Sequence, residues 1–179
     1  MRFLFLCALL GCALGCTDAN RTSTATNDPR FHMSDPNELF FRNTRQNKYR
    51  LVRDAVPSQD VYRVYALNEV STRPQIFAQV VLNWLEDEAY LFIETNAYNA
   101  EFQQPLTLAT QAGDRIELRD YSPAAQLAFA ETLAPLLQRE SALEVYNAAG
   151  ETVSIFQTKP EREAFLVALD DFYRLTAKK

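Results

Sequence analysis

The residues of this chain best suited to chemistry are carboxylates and tyrosines. Glu86, Asp87 and Glu88 stand side by side, and so do Asp170 and Asp171. Paired acids can act as general acid and base, or bind Ca²⁺. The plainer use of such runs is solvation, the first as a charged turn and the second as the polar face of a helix. Other chemistries lack parts. His32 is the single imidazole in the sequence, too few for a Ser-His-Asp triad or a histidine zinc site. Four glycines occur, none in a G-x-S-x-G elbow or a phosphate-cradling run. No cofactor and no metal is expected.

Three thiols complete the inventory, Cys7, Cys12 and Cys16, and they share one segment. Arg2 is followed by about twelve mostly apolar residues ending in Ala13-Leu14-Gly15-Cys16, and Thr17 to Thr24 is abruptly polar. The arrangement resembles a bacterial lipoprotein signal peptide. The resemblance covers residues 1–16 and implies cleavage before Cys16, a diacylglyceryl thioether on that sulfur and usually a third acyl chain such as palmitate. Two chains already give stable anchoring, at about 0.8 kcal/mol per buried CH₂. Leu9-Leu10-Gly11-Cys12 also fits the cleavage pattern, but Cys16 gives the longer apolar run and a polar mature start. Phe3 to Leu14 would make roughly 18 Å of helix, short of a hydrocarbon core about 30 Å thick. Ordinary secretory cleavage after Gly15 would leave an exposed thiol at the first residue. The resemblance implies a cell-envelope location. Thr17, where an Asp would favour inner-membrane retention, directs the expectation to the outer membrane, facing the periplasm, in a host that has one.

With Cys7 and Cys12 removed and Cys16 acylated, the domain holds no thiol for a disulfide, a nucleophile or a metal site. Its core alone must hold it. Hydrophobic residues make up 47% of the chain, which suits a globular core and excludes disorder throughout. A net charge of −5 gives no electrostatic reason to bind nucleic acid. The expected organisation is a signal peptide at 1–15, a flexible tether at 16–34 and one α+β domain at 35–179.

Patterning then supplies the elements. Asp35-Pro36 opens a short helix over Ser34 to about Tyr49. Val61 to Leu67 reads as a strand. Ile76, Ala78, Val80, Leu82 and Trp84 alternate with mixed residues, Glu86-Asp87-Glu88 turns, and Ala89, Leu91 and Ile93 return, giving a hairpin. After a loop with Tyr98 and Phe102, Leu106–Leu108 and Arg115–Arg119 flank Gly113 as a second hairpin. Leu143–Tyr146 and Thr152–Phe156 flank Gly150 as a third. Ser122-Pro123 starts a helix that Pro135 should kink or shorten. Thr158-Lys159-Pro160-Glu161 is a capping box opening a helix with Phe165, Leu169, Phe172 and Leu175 on one stripe. The predicted fold is α+β: one antiparallel sheet of about seven strands with two helices on one face.

If Trp84 and Leu91 point into the core, Phe77, Val81, Tyr90 and Phe92 point to the opposite face. Apolar side chains there need cover, from the chain's own Leu39–Val52 segment, or a partner. Arg42, Arg45, Lys48, Arg50 and Arg53 form a basic segment that could meet a lipid headgroup or wall polymer, or be a solvated face. Two functional readings follow. One is a non-enzymatic envelope lipoprotein, a binding or assembly accessory using the face at Phe77, Val81, Tyr90 and Phe92, with an envelope protein as partner. The other is a small enzyme or ligand-binding domain using carboxylates and tyrosines in a pocket between sheet and helices.

Overall fold

The computed structural model describes residues 30–52, 57–65, 73–96 and 105–177. Among the described residues, eight strands and three α-helices form an α+β fold. All strand pairings are antiparallel, but the strands divide between two four-stranded sheets rather than joining in one. The first has the order β1-β2-β3-β4, built from β1 (Tyr49–Val52), β2 (Gln59–Val64), β3 (Ile76–Asn83) and β4 (Glu88–Thr95). The second has the order β6-β5-β7-β8, from β5 (Leu106–Thr110), β6 (Arg115–Leu118), β7 (Leu143–Tyr146) and β8 (Thr152–Ile155). Helix α2 (Pro123–Gln138) carries the chain from β6 to β7 and sets β7 on the other side of β5.

The three hairpins form as the sequence predicts. Gly113 and Gly150 take φ of +89° and +81°, which side-chain-bearing residues adopt only at a cost. Ser122 caps α2, its hydroxyl accepting the Ala125 N–H at 3.3 Å. Pro135 neither stops nor shortens α2, which runs on to Gln138 with Pro135 exposed. The capping box is complete. Thr158 Oγ1 accepts the Glu161 N–H at 3.4 Å, and Glu161 Oε2 accepts the Thr158 N–H at 3.2 Å. It opens α3 (Lys159–Thr176), whose Phe165, Leu169, Phe172 and Leu175 are all buried.

The alternation in the first hairpin sends Ile76, Ala78, Val80, Leu82, Ala89, Leu91 and Ile93 to one side. There they join Tyr62, Val64 and the α3 stripe in a single core. Trp84 does not continue that series. The β3 ladder ends at Asn83, opposite Glu88, and Trp84 falls in the turn, 53% exposed. Periodicity stops where the pairing stops.

The N-terminal helix is shorter than expected and changes pitch. Helix α1 (Asp35–Phe40) passes into a π-turn at Phe41–Arg45 and a 3₁₀ turn at Gln46–Lys48. Tyr49–Val52 is then an edge strand. The segment covers the core side of the sheet, not the opposite face: Phe41 packs edge-on against Tyr62 at 5.0 Å between ring centres. The domain also begins earlier than residue 35. Phe31 and Met33 are buried, Phe31 packing edge-on against Phe172 at 5.3 Å, so Arg30–Ser34 belongs to the domain rather than to a tether. His32, between two buried apolar residues, is exposed and bridges to Glu88 by its backbone.

The outer border of β4 is closed by a side chain. Gln126, buried on α2, accepts the Ile93 N–H through Oε1 at 2.7 Å and donates through Nε2 to the Tyr121 carbonyl at 2.7 Å. A glutamine inside a helix face otherwise made of Leu127, Phe129, Ala130 and Leu133 is thereby explained.

Candidate functional site

The register brings Phe77, Val81, Tyr90 and Phe92 onto one face. Val81 lies opposite Tyr90, Gln79 opposite Phe92, and Phe77 opposite Glu94. Val61 adds to the face from β2, opposite Val81. Burial divides the four. Phe77 and Val81 are buried, Tyr90 is half-buried and Phe92 is 40% exposed. Strand β3 is flanked on both sides, which shields its side chains, whereas β4 lies at the border of the sheet. Of the four, Phe92 and Tyr90 on β4 reach solvent, and Phe77 and Val81 on β3 do not. A polar bridge crosses the same face: the Arg63 guanidinium donates to Glu94 at 2.5 Å, and the Gln79 amide donates to the same carboxylate.

Tyr90 is fixed by its own neighbour. Its hydroxyl donates to Glu88, a buried carboxylate that Arg30 Nη1 approaches to 3.6 Å. Burial first, and then that carboxylate, pushes the Tyr90 hydroxyl up to about 12. Glu88 thus leaves the solvated turn expected of Glu86-Asp87-Glu88 and becomes the first residue of β4.

The second acidic pair divides in the same way. Asp170 is exposed, but Asp171 has no exposed surface. Arg45 Nε donates to Asp171 Oδ1 at 2.6 Å, and the Tyr49 hydroxyl donates to Oδ2 at 2.7 Å. The basic segment is likewise largely committed. Arg42 donates to Glu38 at 2.7 Å, to the Tyr62 hydroxyl at 3.1 Å and to Asp60 at 3.3 Å. Arg53 lies outside the described residues, as do Tyr98, Phe102 and Cys16. Sequence reasoning missed the Arg45–Asp171–Tyr49 cluster because its partners are more than 120 residues apart.

Burial, and after it the adjacent Asp171 charge, raises the Tyr49 hydroxyl far above its ordinary value of 10.0. The folded chain keeps a proton that the unfolded chain releases. Stability from this group is therefore complete below pH 10 and falls as the pH rises beyond it, by about 1.4 kcal/mol per pH unit. Tyr173, raised to about 12 by burial and its bond to Glu131, adds loss in the same direction. Urea titrations at pH 8, 10 and 11 are expected to show this fall, and Tyr49→Phe should flatten it.

A shallow groove of about 290 Å³ lies between β6 and α2 and includes Glu117 and Asp120 in its lining. Each carboxylate is engaged. Glu117 accepts from Arg119 Nε at 2.5 Å, and Asp120 accepts the Ser122 N–H at 2.9 Å ahead of α2. Among the described residues, no helix is long and apolar enough to cross a membrane. No protein-family model, no curated protein and no solved structure matches this chain.

Proposed function

We propose that this chain is a cell-envelope lipoprotein, held by acyl chains on Cys16, that works without catalysis as a binding or assembly accessory. Its contact surface is the outer face of the first sheet, with Phe92 exposed and Tyr90 half-buried beside the buried Phe77 and Val81. The observation that carries the reading is Phe92, a large apolar side chain left open to solvent on a sheet face that it shares with Phe77, Val81 and Val61, beside the Arg63–Glu94–Gln79 bridge. The state of the acids supports it. Asp171 and Glu88 each hold a tyrosine, and Glu117 and Asp120 hold an arginine and a helix start. Committed carboxylates of this kind serve the fold before they serve a substrate.

Two measurements on the full chain in a bacterial host test the reading. Palmitate label should survive Cys12→Ala and vanish with Cys16→Ala. Proteins cross-linked and co-purified with wild type should fall several-fold with Phe92→Ala/Tyr90→Ala, at unchanged circular dichroism. Identical partners for the double variant would remove the face from the proposal.

A further inference from the structure

We infer that the turn Trp84–Asp87 between β3 and β4 rests on the bilayer surface; this builds on the reading of Cys16 as a lipid anchor. Trp84 and Leu85 are adjacent at the tip of the hairpin, 53% and 67% exposed. Tight turns ordinarily carry small and polar residues. This one is braced. The Trp84 N–H donates to the Ser58 carbonyl at 3.1 Å, and the Leu85 N–H donates to the Asn83 side chain at 3.3 Å. The apolar pair is presented on a held frame.

The chain arriving from Cys16 joins the domain at this same turn. The Met33 N–H donates to the Asp87 carbonyl at 2.7 Å, and the Ala89 N–H donates to the Phe31 carbonyl at 2.9 Å. Arg30 Nη1 lies 3.9 Å from Glu86 and 3.6 Å from Glu88. Fourteen residue steps separate Cys16 from Arg30, at most about 50 Å when fully extended. An anchor at Cys16 therefore draws this end of the domain toward the lipid, and Trp84 and Leu85 lead it. Tryptophan favours the boundary between headgroups and acyl chains, where its ring is apolar and its N–H stays wet. Because the domain is already tethered, a shallow insertion needs little affinity of its own.

Charge selects the kind of surface. Glu86 and Asp87 flank the apolar pair, and Arg30 is the cation beside them. The turn is thus no trap for anionic headgroups, and the contact is with the apolar boundary of the bilayer. Replacing neutral lipid by anionic lipid should not strengthen it.

The sequence contains one tryptophan, so the protein carries its own probe. The full acylated chain would be reconstituted into phosphatidylcholine vesicles containing lipid brominated near the top of the acyl chain. Trp84 emission is expected to be quenched at least about twofold more than in Leu85→Asp. Both proteins should float with the vesicles, and half phosphatidylglycerol should not increase the quenching. Should the chain be acylated and float while Trp84 stays unquenched by lipid and open to aqueous iodide, the turn lies in water. The inference then fails and the anchor stands. Quenching that persists in Cys16→Ala would retain the contact and overturn its dependence on the anchor, which the palmitate label tests separately. Loss of label, flotation and quenching together would remove both.

Discussion

Asp171→Ala is expected to lower the unfolding free energy by about 3–5 kcal/mol, the cost of breaking a buried ion pair by removing one partner. Asp171 has no exposed surface, and its two oxygens hold Arg45 and the Tyr49 hydroxyl. The alanine variant removes the short bonds and leaves the guanidinium with the exposed Asp170 carboxylate at 3.7 Å and the phenol with the Val167 carbonyl at 3.5 Å. Because this cluster ties the π-turn and β1 to α3, the loss should be global rather than local. In urea the midpoint should fall by about 2 M at an ordinary slope of about 2 kcal/mol/M. Arg45→Met/Asp171→Leu should recover most of that loss, since an apolar pair needs no partner. A single alanine variant within 1 kcal/mol of wild type would show that water reaches the cluster.

Phe172→Ala comes next, at about 3–5 kcal/mol. Phe172 is fully buried in α3, with Phe31 edge-on at 5.3 Å and Tyr173 at 6.0 Å. Removing the ring opens a cavity and also loosens the segment Arg30–Met33, whose Phe31 loses its edge-on contact with Phe172. Amide exchange separates the two effects. The Ala89 N–H, which donates to the Phe31 carbonyl, should exchange faster in the variant by more than the Ile93 N–H, which Gln126 holds independently. An equal rise at both amides would mean that only global unfolding had changed. A Phe31→Ala/Phe172→Ala cycle should give a coupling of about 0.5–1.5 kcal/mol.

Elements that rest on neighbours in sequence were legible before the structure. The capping box at Thr158 and Glu161, the Ser122-Pro123 start and the glycine turns at 113 and 150 are all local devices, and each formed as read. What depends on distant partners was not. The strand Tyr49–Val52 is not legible in the sequence, whose pattern ends a helix at about Tyr49, because its strand character is set by pairing with Val61–Val64. The division into two sheets, β1 to β4 and β5 to β8, depends on which strands pair at a distance, which alternation within a strand does not encode. Asp171 reads as a polar helix face until Arg45 arrives from the other end of the chain. On the outer face of the first sheet, the alternation puts Phe77, Val81, Tyr90 and Phe92 on one side, and the register has them there. It could not say which of them would stay open, because that depends on whether a strand is flanked or at a border.

Gln126 has a consequence for association between molecules. Its amide occupies the Ile93 N–H, so a foreign strand cannot zip onto β4 there without first evicting it. On the opposite border, β1 presents Arg50 beside Lys48, both exposed. Two copies meeting edge to edge along β1 would bring like charges together. The first sheet is thereby plugged from within at one margin and lined by cationic side chains at the other, which disfavours the zipping of copies into a continuous ribbon.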